Sequence, residues 1–176
     1  MATNKLTAQE IKDLLGLKPH PREGGWYVRT YESDDWIGQA SLELRYLRAG
    51  ADGPRRTGTT IYYLLEPDTF SEMHRLLSDE VFHFYLGDPV EMLQLFPDGT
   101  SRVTILGPGI ANGQTPQHVV PHTVWQGSRL LTGGSFALLG CTVAPGFEFE
   151  DYKTGDRAEL CARWPQRREL IIALTR

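Results

Sequence analysis

The chain has 176 residues, the size of one ordinary domain, and its 22 acidic against 18 basic residues leave a net charge of −4. At 40% hydrophobic and 23% charged residues, the composition excludes a disordered or fibrous protein. Its 18 glycines and 11 prolines point to many turns and short elements, and four of its five histidines fall between His74 and His122, which raises the question of a metal site.

Partners and compartment are bounded in the same way. No apolar run is long enough to span a bilayer; the best, Phe136 to Ala144, is interrupted by Gly140 and Thr142. The opening MATNKLTAQE lacks the apolar stretch of a secretory signal. Cys141 and Cys161 read as two free thiols of a reducing compartment rather than as a disulfide framework, so the expected location is the cytoplasm, with no membrane partner. Residues 157–176 hold five arginines against Glu159 and Glu169, but this reads as the solvated face of a terminal helix, not a basic surface for nucleic acid.

In chain order, a short helix comes first. Thr7 and Glu10 make a capping box, Ile11, Leu14 and Leu15 form its apolar stripe, and Gly16 stops it. Short strands follow at Trp26–Tyr31, Leu42–Leu47, Thr60–Leu65, Phe70–Leu76, Glu80–Leu86, Val90–Phe96, Arg102–Leu106, His118–Val120, Val124–Gln126 and Phe136–Val143. Leu42, Glu43, Leu44, Arg45 and Tyr46 alternate as a half-buried strand does. Pro97-Asp98-Gly99 is a turn that makes a hairpin of its neighbours. The segments Glu32–Ser41 and Arg48–Gly58 read as loops. A helix begun by Pro165, with Leu170, Ile171 and Leu174 on one face, closes the chain. About ten short strands with a turn every 8–12 residues predict a β-sandwich or barrel rather than βαβ units. The expected division is a single domain, with a helical segment over 1–18, the β-structure over 19–160 and a C-terminal helix over 161–176.

The densest polar cluster on an apolar background runs from Met73-His74-Arg75-Leu76 to Glu80-Val81-Phe82-His83-Phe84. It reads as a strand, a tight turn through Ser78-Asp79 and a returning strand, with His74 and Glu80 meeting at one end of the barrel. An imidazole beside a carboxylate can hold a divalent metal or act as a base with its orienting partner. If Glu80 faces inward, alternation sends Phe82 and Phe84 inward with it and turns His83 and Tyr85 outward, unless a bulge intervenes. Trp26 and Tyr27 after Gly24-Gly25 are either core aromatics or rings placed over the cavity, with Arg29 available for an anionic ligand. Only one of Tyr62 and Tyr63 can face inward. His118 and His122 read as surface residues and His20 as a local loop contact.

His74, Glu80 and Gly87 match the spacing of the first cupin motif, and Gln117-His118-Val119-Val120-Pro121-His122-Thr123-Val124-Trp125-Gln126 resembles the second. More narrowly, the chain resembles the DUF985 (Cupin_5) family of RmlC-like jelly-roll proteins. The resemblance is carried by His20-Pro21-Arg22-Glu23-Gly24-Gly25-Trp26-Tyr27, Ile61-Tyr62-Tyr63-Leu64-Leu65, Ser78-Asp79-Glu80-Val81-Phe82-His83-Phe84-Tyr85, Leu139-Gly140-Cys141-Thr142-Val143-Ala144-Pro145-Gly146-Phe147 and Leu174-Thr175-Arg176. It implies an all-β double-stranded β-helix (cupin jelly roll) with a short N-terminal helix and a C-terminal helix, usually a homodimer, and it implies little about the reaction.

Metal-dependent cupins draw a pair of histidines from the first motif and another from the second. At the aligned positions this chain has His74 and Leu76, then Gln126. His74, Glu80 and Gln126 would therefore make a loose metal set, and a divalent metal is not the favoured cofactor. The favoured expectation is a small-molecule-binding protein. It holds a polar, sugar- or nucleotide-like metabolite with the pair His74 and Glu80, the catalytic candidates, and would use His74 as general base and a tyrosine as acid, as in the metal-free sugar-nucleotide epimerases of the same fold. Gln126, Phe82, Phe84, Trp26, Tyr27 and Arg29 are its ligand-binding candidates. A metal-dependent oxygenase or isomerase, and a non-catalytic binding or structural dimer, are the alternatives.

Overall fold

Side-chain alternation decides which faces these strands bury, and the helices follow from what the faces leave uncovered. The computed structural model describes residues 6–51 and 53–176. Helix α1 (Ala8–Leu15) leads into β1 (Lys18–Pro19), β2 (Trp26–Glu32) and β3 (Trp36–Ile37). After α2 (Leu44–Arg48) come β4 (Arg55–Arg56), β5 (Thr59–Leu65), β6 (Phe70–Arg75), β7 (Asp79–Gly87), β8 (Val90–Leu95) and β9 (Ser101–Leu106). Strands β10 (Gln117–Val120), β11 (Trp125–Leu130), β12 (Ala137–Ala144) and β13 (Lys153–Thr154) precede α3 (Arg157–Arg163) and α4 (Arg168–Ala173).

Two antiparallel sheets face each other. One has the order β1-β2-β5-β12-β7-β10 and the other β13-β6-β11-β8-β9. Between them lies a core of Tyr63, Leu65, Phe82, Val90, Met92, Leu106, Leu139 and Cys141. On β5 the opposite parity, Tyr62 and Leu64, packs under α1 with Ile11, Leu17 and Trp26. On β8, Leu93 and Leu95 point away from the core and are covered by Leu160, Trp164, Ile171 and Leu174 of the C-terminal helices. The capping box at Thr7 and Glu10 and the left-handed Gly16 (φ +66°) bound α1 where the sequence places them. Tyr63 is the inward member of the tyrosine pair, and β8–β9 form the expected hairpin.

Two bulges set directions that matter for the site. On β6, His74 pairs with Gln126 but Ser71 with Ser128, so two residues of β6 stand opposite Gly127. The extra residue turns both Ser71 and His74 inward and leaves Met73 outside with the helices. On β7, Phe84 pairs with Leu139 but Leu86 with Leu138, which leaves Tyr85 as the extra residue. Glu80, Phe82 and Phe84 keep to the inner face, and Tyr85 stacks on His83 outside.

Four expectations change. The segment Leu42–Leu47 is not a strand: a 3-10 turn (Gln39–Ser41) and α2 occupy it, with Leu42 and Tyr46 buried and Leu44 63% exposed. The chain from His74 to Glu80 is not a hairpin, because β6 and β7 belong to different sheets and the turn carries the chain from one to the other. The helical close of the chain starts earlier than residue 161. Asp156 caps α3 by accepting from the Glu159 amide, and Pro165 opens a 3-10 turn that separates it from α4. The segments 32–41 and 48–58 are not wholly loops, since each contributes a strand to the β3–β4 ribbon.

Candidate functional site

The inward ends of β2, β6, β7 and β12, together with the segment after β12, enclose a cavity of about 470 Å³. His74 and Glu80 share its wall with Tyr27 and Arg29 from β2 and with His20, Glu23, Leu76, Cys141, Phe147, Phe149 and Tyr152.

His74 is 1% exposed and lies flat against Tyr152, with ring centroids 4.8 Å apart and planes 16° apart. Its Nδ1 is 2.7 Å from the Glu72 carbonyl oxygen. A carbonyl only accepts, so Nδ1 carries a hydrogen, and in the neutral ring Nε2 keeps its lone pair. Glu80 accepts from the Gln126 side-chain amide at 2.6 Å. Burial, reinforced by the Glu23 charge, pushes the Glu80 carboxyl up to about 7, against the opposing pull of His74 and Gln126. At neutral pH this group is divided between acid and carboxylate. Burial, with Glu80 close by, also pushes the Cys141 thiol well up, so it is no nucleophile here. Tyr152 is likewise raised, first by burial and then by Glu23, and its buried hydroxyl lacks a hydrogen-bond partner among the described residues.

Gln126 stands behind Glu80 rather than in the cavity wall, 1% exposed, with its Oε1 unpartnered among the described residues. Across β11, Gln94 faces Gln126 and contacts His118 Nε2 at 2.7 Å, so His118 is tied to the interior instead of lying free on the surface. Phe82 and Phe84 pack in the core between the sheets. Trp26 belongs to the outer face under α1, where the Lys12 ammonium sits 4.2 Å from its ring. His122 pairs with Asp79 at the surface.

The structure thus brings together His74, Glu80, Tyr27 and Arg29, with Gln126 as Glu80's partner, and places Phe82, Phe84 and Trp26 elsewhere. Sequence reasoning missed Glu23 and Tyr152 and gave His20 only its loop role. His20 does make that loop contact, accepting from the Glu23 amide at 2.8 Å, but its side chain is also part of the cavity wall. Glu23 is held by the Ser71 hydroxyl, which the β6 bulge turns inward. Tyr152 arrives on a segment with no local signal; only its place in the fold brings it to His74.

The donor set does not fit a resident metal. Leu76 puts an apolar side chain in the wall, the Gln126 amide gives its N–H to Glu80, and among the described residues no three His, Cys, Asp or Glu side chains converge on one point.

A model of the family Cupin_5, described as cupin superfamily (DUF985), matches residues 9–155. This chain belongs to that cupin family. A relative from Saccharomyces cerevisiae, "Uncharacterized protein YML079W", is 31% identical over 140 residues, which cover 74% of this cupin and 67% of the relative. The crystal structure of protein SO0799 from Shewanella oneidensis is similar with a TM-score of 0.84 and 30% identity, covering 98% of this chain and 99% of that one. A hypothetical protein from Leishmania major is similar at the same TM-score with 27% identity, covering 97% and 99%. The fold is the cupin jelly roll, and among the described residues no helix is long and apolar enough to cross a membrane.

Proposed function

We propose that the cavity binds a polar small molecule and that His74 and Glu80 move its protons without a metal, in the manner of an isomerase or epimerase. One observation carries this reading. The neutral His74 ring's lone-pair nitrogen and a carboxyl raised to about 7 on Glu80 line the same half-open, aromatic-lined cavity. His74 Nε2 is oriented to take a proton from an acidic C–H or O–H of the ligand, while Glu80, half protonated near neutral pH, can return one. The rings of Tyr27, Phe147 and Phe149 suit the flat faces of a sugar or a base, and Arg29 at the rim suits an anionic group.

The test is native mass spectrometry of the purified protein to find what co-purifies, followed by solvent-deuterium exchange into that molecule. Exchange that depends on His74 and Glu80 is the expected result. A His74→Ala, Glu80→Ala double variant that keeps both affinity and exchange overturns the reading.

A homodimer accompanies the proposal. The outer face of the six-stranded sheet beside α1 presents Thr60, Tyr62, Thr142, Val81, His83, Tyr85, Gln117 and Val119 in register. None is acidic or basic apart from the histidine, and Tyr85 and Val119 are 46% and 49% exposed. Such a face suits a second copy of the chain.

A further inference from the structure

The two imidazoles in the cavity wall are fixed in opposite tautomers by the backbone. His74 gives its Nδ1 hydrogen to the Glu72 carbonyl, so its Nε2 is an acceptor. His20 is the reverse case. Its Nδ1 receives the Glu23 amide at 2.8 Å and the Arg22 amide at 3.4 Å, and a nitrogen that accepts two N–H groups cannot carry a hydrogen. The neutral ring must then hold its hydrogen on Nε2. That nitrogen makes no hydrogen bond among the described residues; the nearest anionic atom, Glu23 Oε2, is 3.9 Å away. The ring is held edge-on to Tyr27, with centroids 4.6 Å apart. Burial lowers the His20 pKa against the opposing charge of Glu23, which favours the neutral ring.

We infer that His20 is a ligand-orienting hydrogen-bond donor, and that with His74 it selects a small molecule presenting an acceptor oxygen beside a hydrogen-bond donor, as a hydroxyketone does. The acceptor oxygen takes the His20 Nε2–H, and the neighbouring hydroxyl gives its hydrogen to His74 Nε2. No proton leaves His20, since its other nitrogen is committed to the Gly-rich loop's amides and the product would be an imidazolate. Its role is that of a neutral electrophile that polarises a carbonyl. The inference deepens the proposed small-molecule site and rests on it, but its first test needs no ligand.

Two-bond 1H–15N correlation spectra of the ligand-free, 15N-histidine-labelled chain at neutral pH should assign His20 as the Nε2–H tautomer and His74 as the Nδ1–H tautomer. Finding both rings in one tautomer, or the two reversed, overturns the inference whatever the fate of the proton-transfer reading. The second test uses dihydroxyacetone, with propane-1,3-diol as the same skeleton lacking the central oxygen. Dihydroxyacetone should bind more tightly than propane-1,3-diol and shift both ring signals. His20→Asn keeps an oxygen to accept the Glu23 amide but loses the donor, and it should weaken dihydroxyacetone about three- to tenfold, leaving propane-1,3-diol unchanged. His20→Gln, whose amide N–H reaches the Nε2 position, should recover part of the loss. Equal binding of the two probes, or a folded His20→Asn variant that binds dihydroxyacetone as the wild type does, overturns the inference.

Discussion

At the scale of single residues, Glu80 carries the largest electrostatic consequence. Its carboxyl titrates at about 7 in the folded chain against an ordinary value of 4.5, so the native state binds its proton more tightly than the unfolded state does. The favourable contribution is complete below pH about 4.5 and is lost as pH rises through about 7. Wild-type stability should therefore fall between pH 5 and 8 by an amount on the order of 3 kcal/mol. Glu80→Gln, which keeps a neutral partner for Gln126, should flatten that decline. Urea midpoints measured across the window decide it, and an identical slope in both proteins would mean that Glu80 is not the group responsible. The pair His74–Glu80 was legible in the sequence because both lie in one polar cluster on an apolar background. Their partners were not. Glu23 reaches the site through a hydrogen bond from Ser71, and that depends on a β6 bulge which the residue pattern does not announce.

At the scale of elements, the segment between β12 and β13 forms one side of the cavity through Phe147, Glu148, Phe149 and Tyr152. It is pinned from below by a buried ion pair. Arg55 of β4, 2% exposed, makes two hydrogen bonds to Asp151, at 3.0 and 3.2 Å. Removing one member strands the other charge in the interior, so Asp151→Ala should cost about 3–5 kcal/mol. It should also loosen Tyr152 from His74, read as loss of the ring-current shift on the His74 protons. A variant with unchanged denaturation midpoint would show that the pair contributes nothing. The Gly24-Gly25 turn is a second case. Gly24 has φ +99°, and a Cβ there would meet the Phe70 carbonyl oxygen at 2.4 Å, so Gly24→Ala should destabilise by about 2 kcal/mol or more and displace the His20–Glu23 loop. Calorimetry checks the first effect and the His20 ring signals check the second. Most strands were legible to within a residue or two, because their inward and outward parities are distinct. Segment 42–46 was not. Leu42 and Tyr46 are four apart, which is both an even strand spacing and one helical turn, and only the exposure of Leu44 separates the two readings.

At the scale of the whole molecule, each sheet keeps its inner face for the core and cavity and hands its outer face to something else. The C-terminal helices cover the five-stranded sheet, and α1 covers part of the six-stranded one. The remainder of that second face lies on β5, β12, β7 and β10. Gly140 at its centre is left bare of a side chain because the Tyr85 ring lies across it, with the hydroxyl 2.2 Å from where a Cβ would be. Tyr62 meets Tyr85 edge-on and His83 stacks on the same ring, so the patch is ordered by its own aromatics and needs no rearrangement to receive a flat partner. A two-fold axis through such a face would set like residues near one another, which an uncharged surface tolerates and a charged one does not. Light scattering at micromolar concentration should thus give twice the chain mass for the wild type. Tyr85→Glu, placing two carboxylates near the axis, should give the monomer mass with an unchanged circular dichroism spectrum. A wild-type protein that is already monomeric, or a Tyr85→Glu variant that remains dimeric, removes this face from the account.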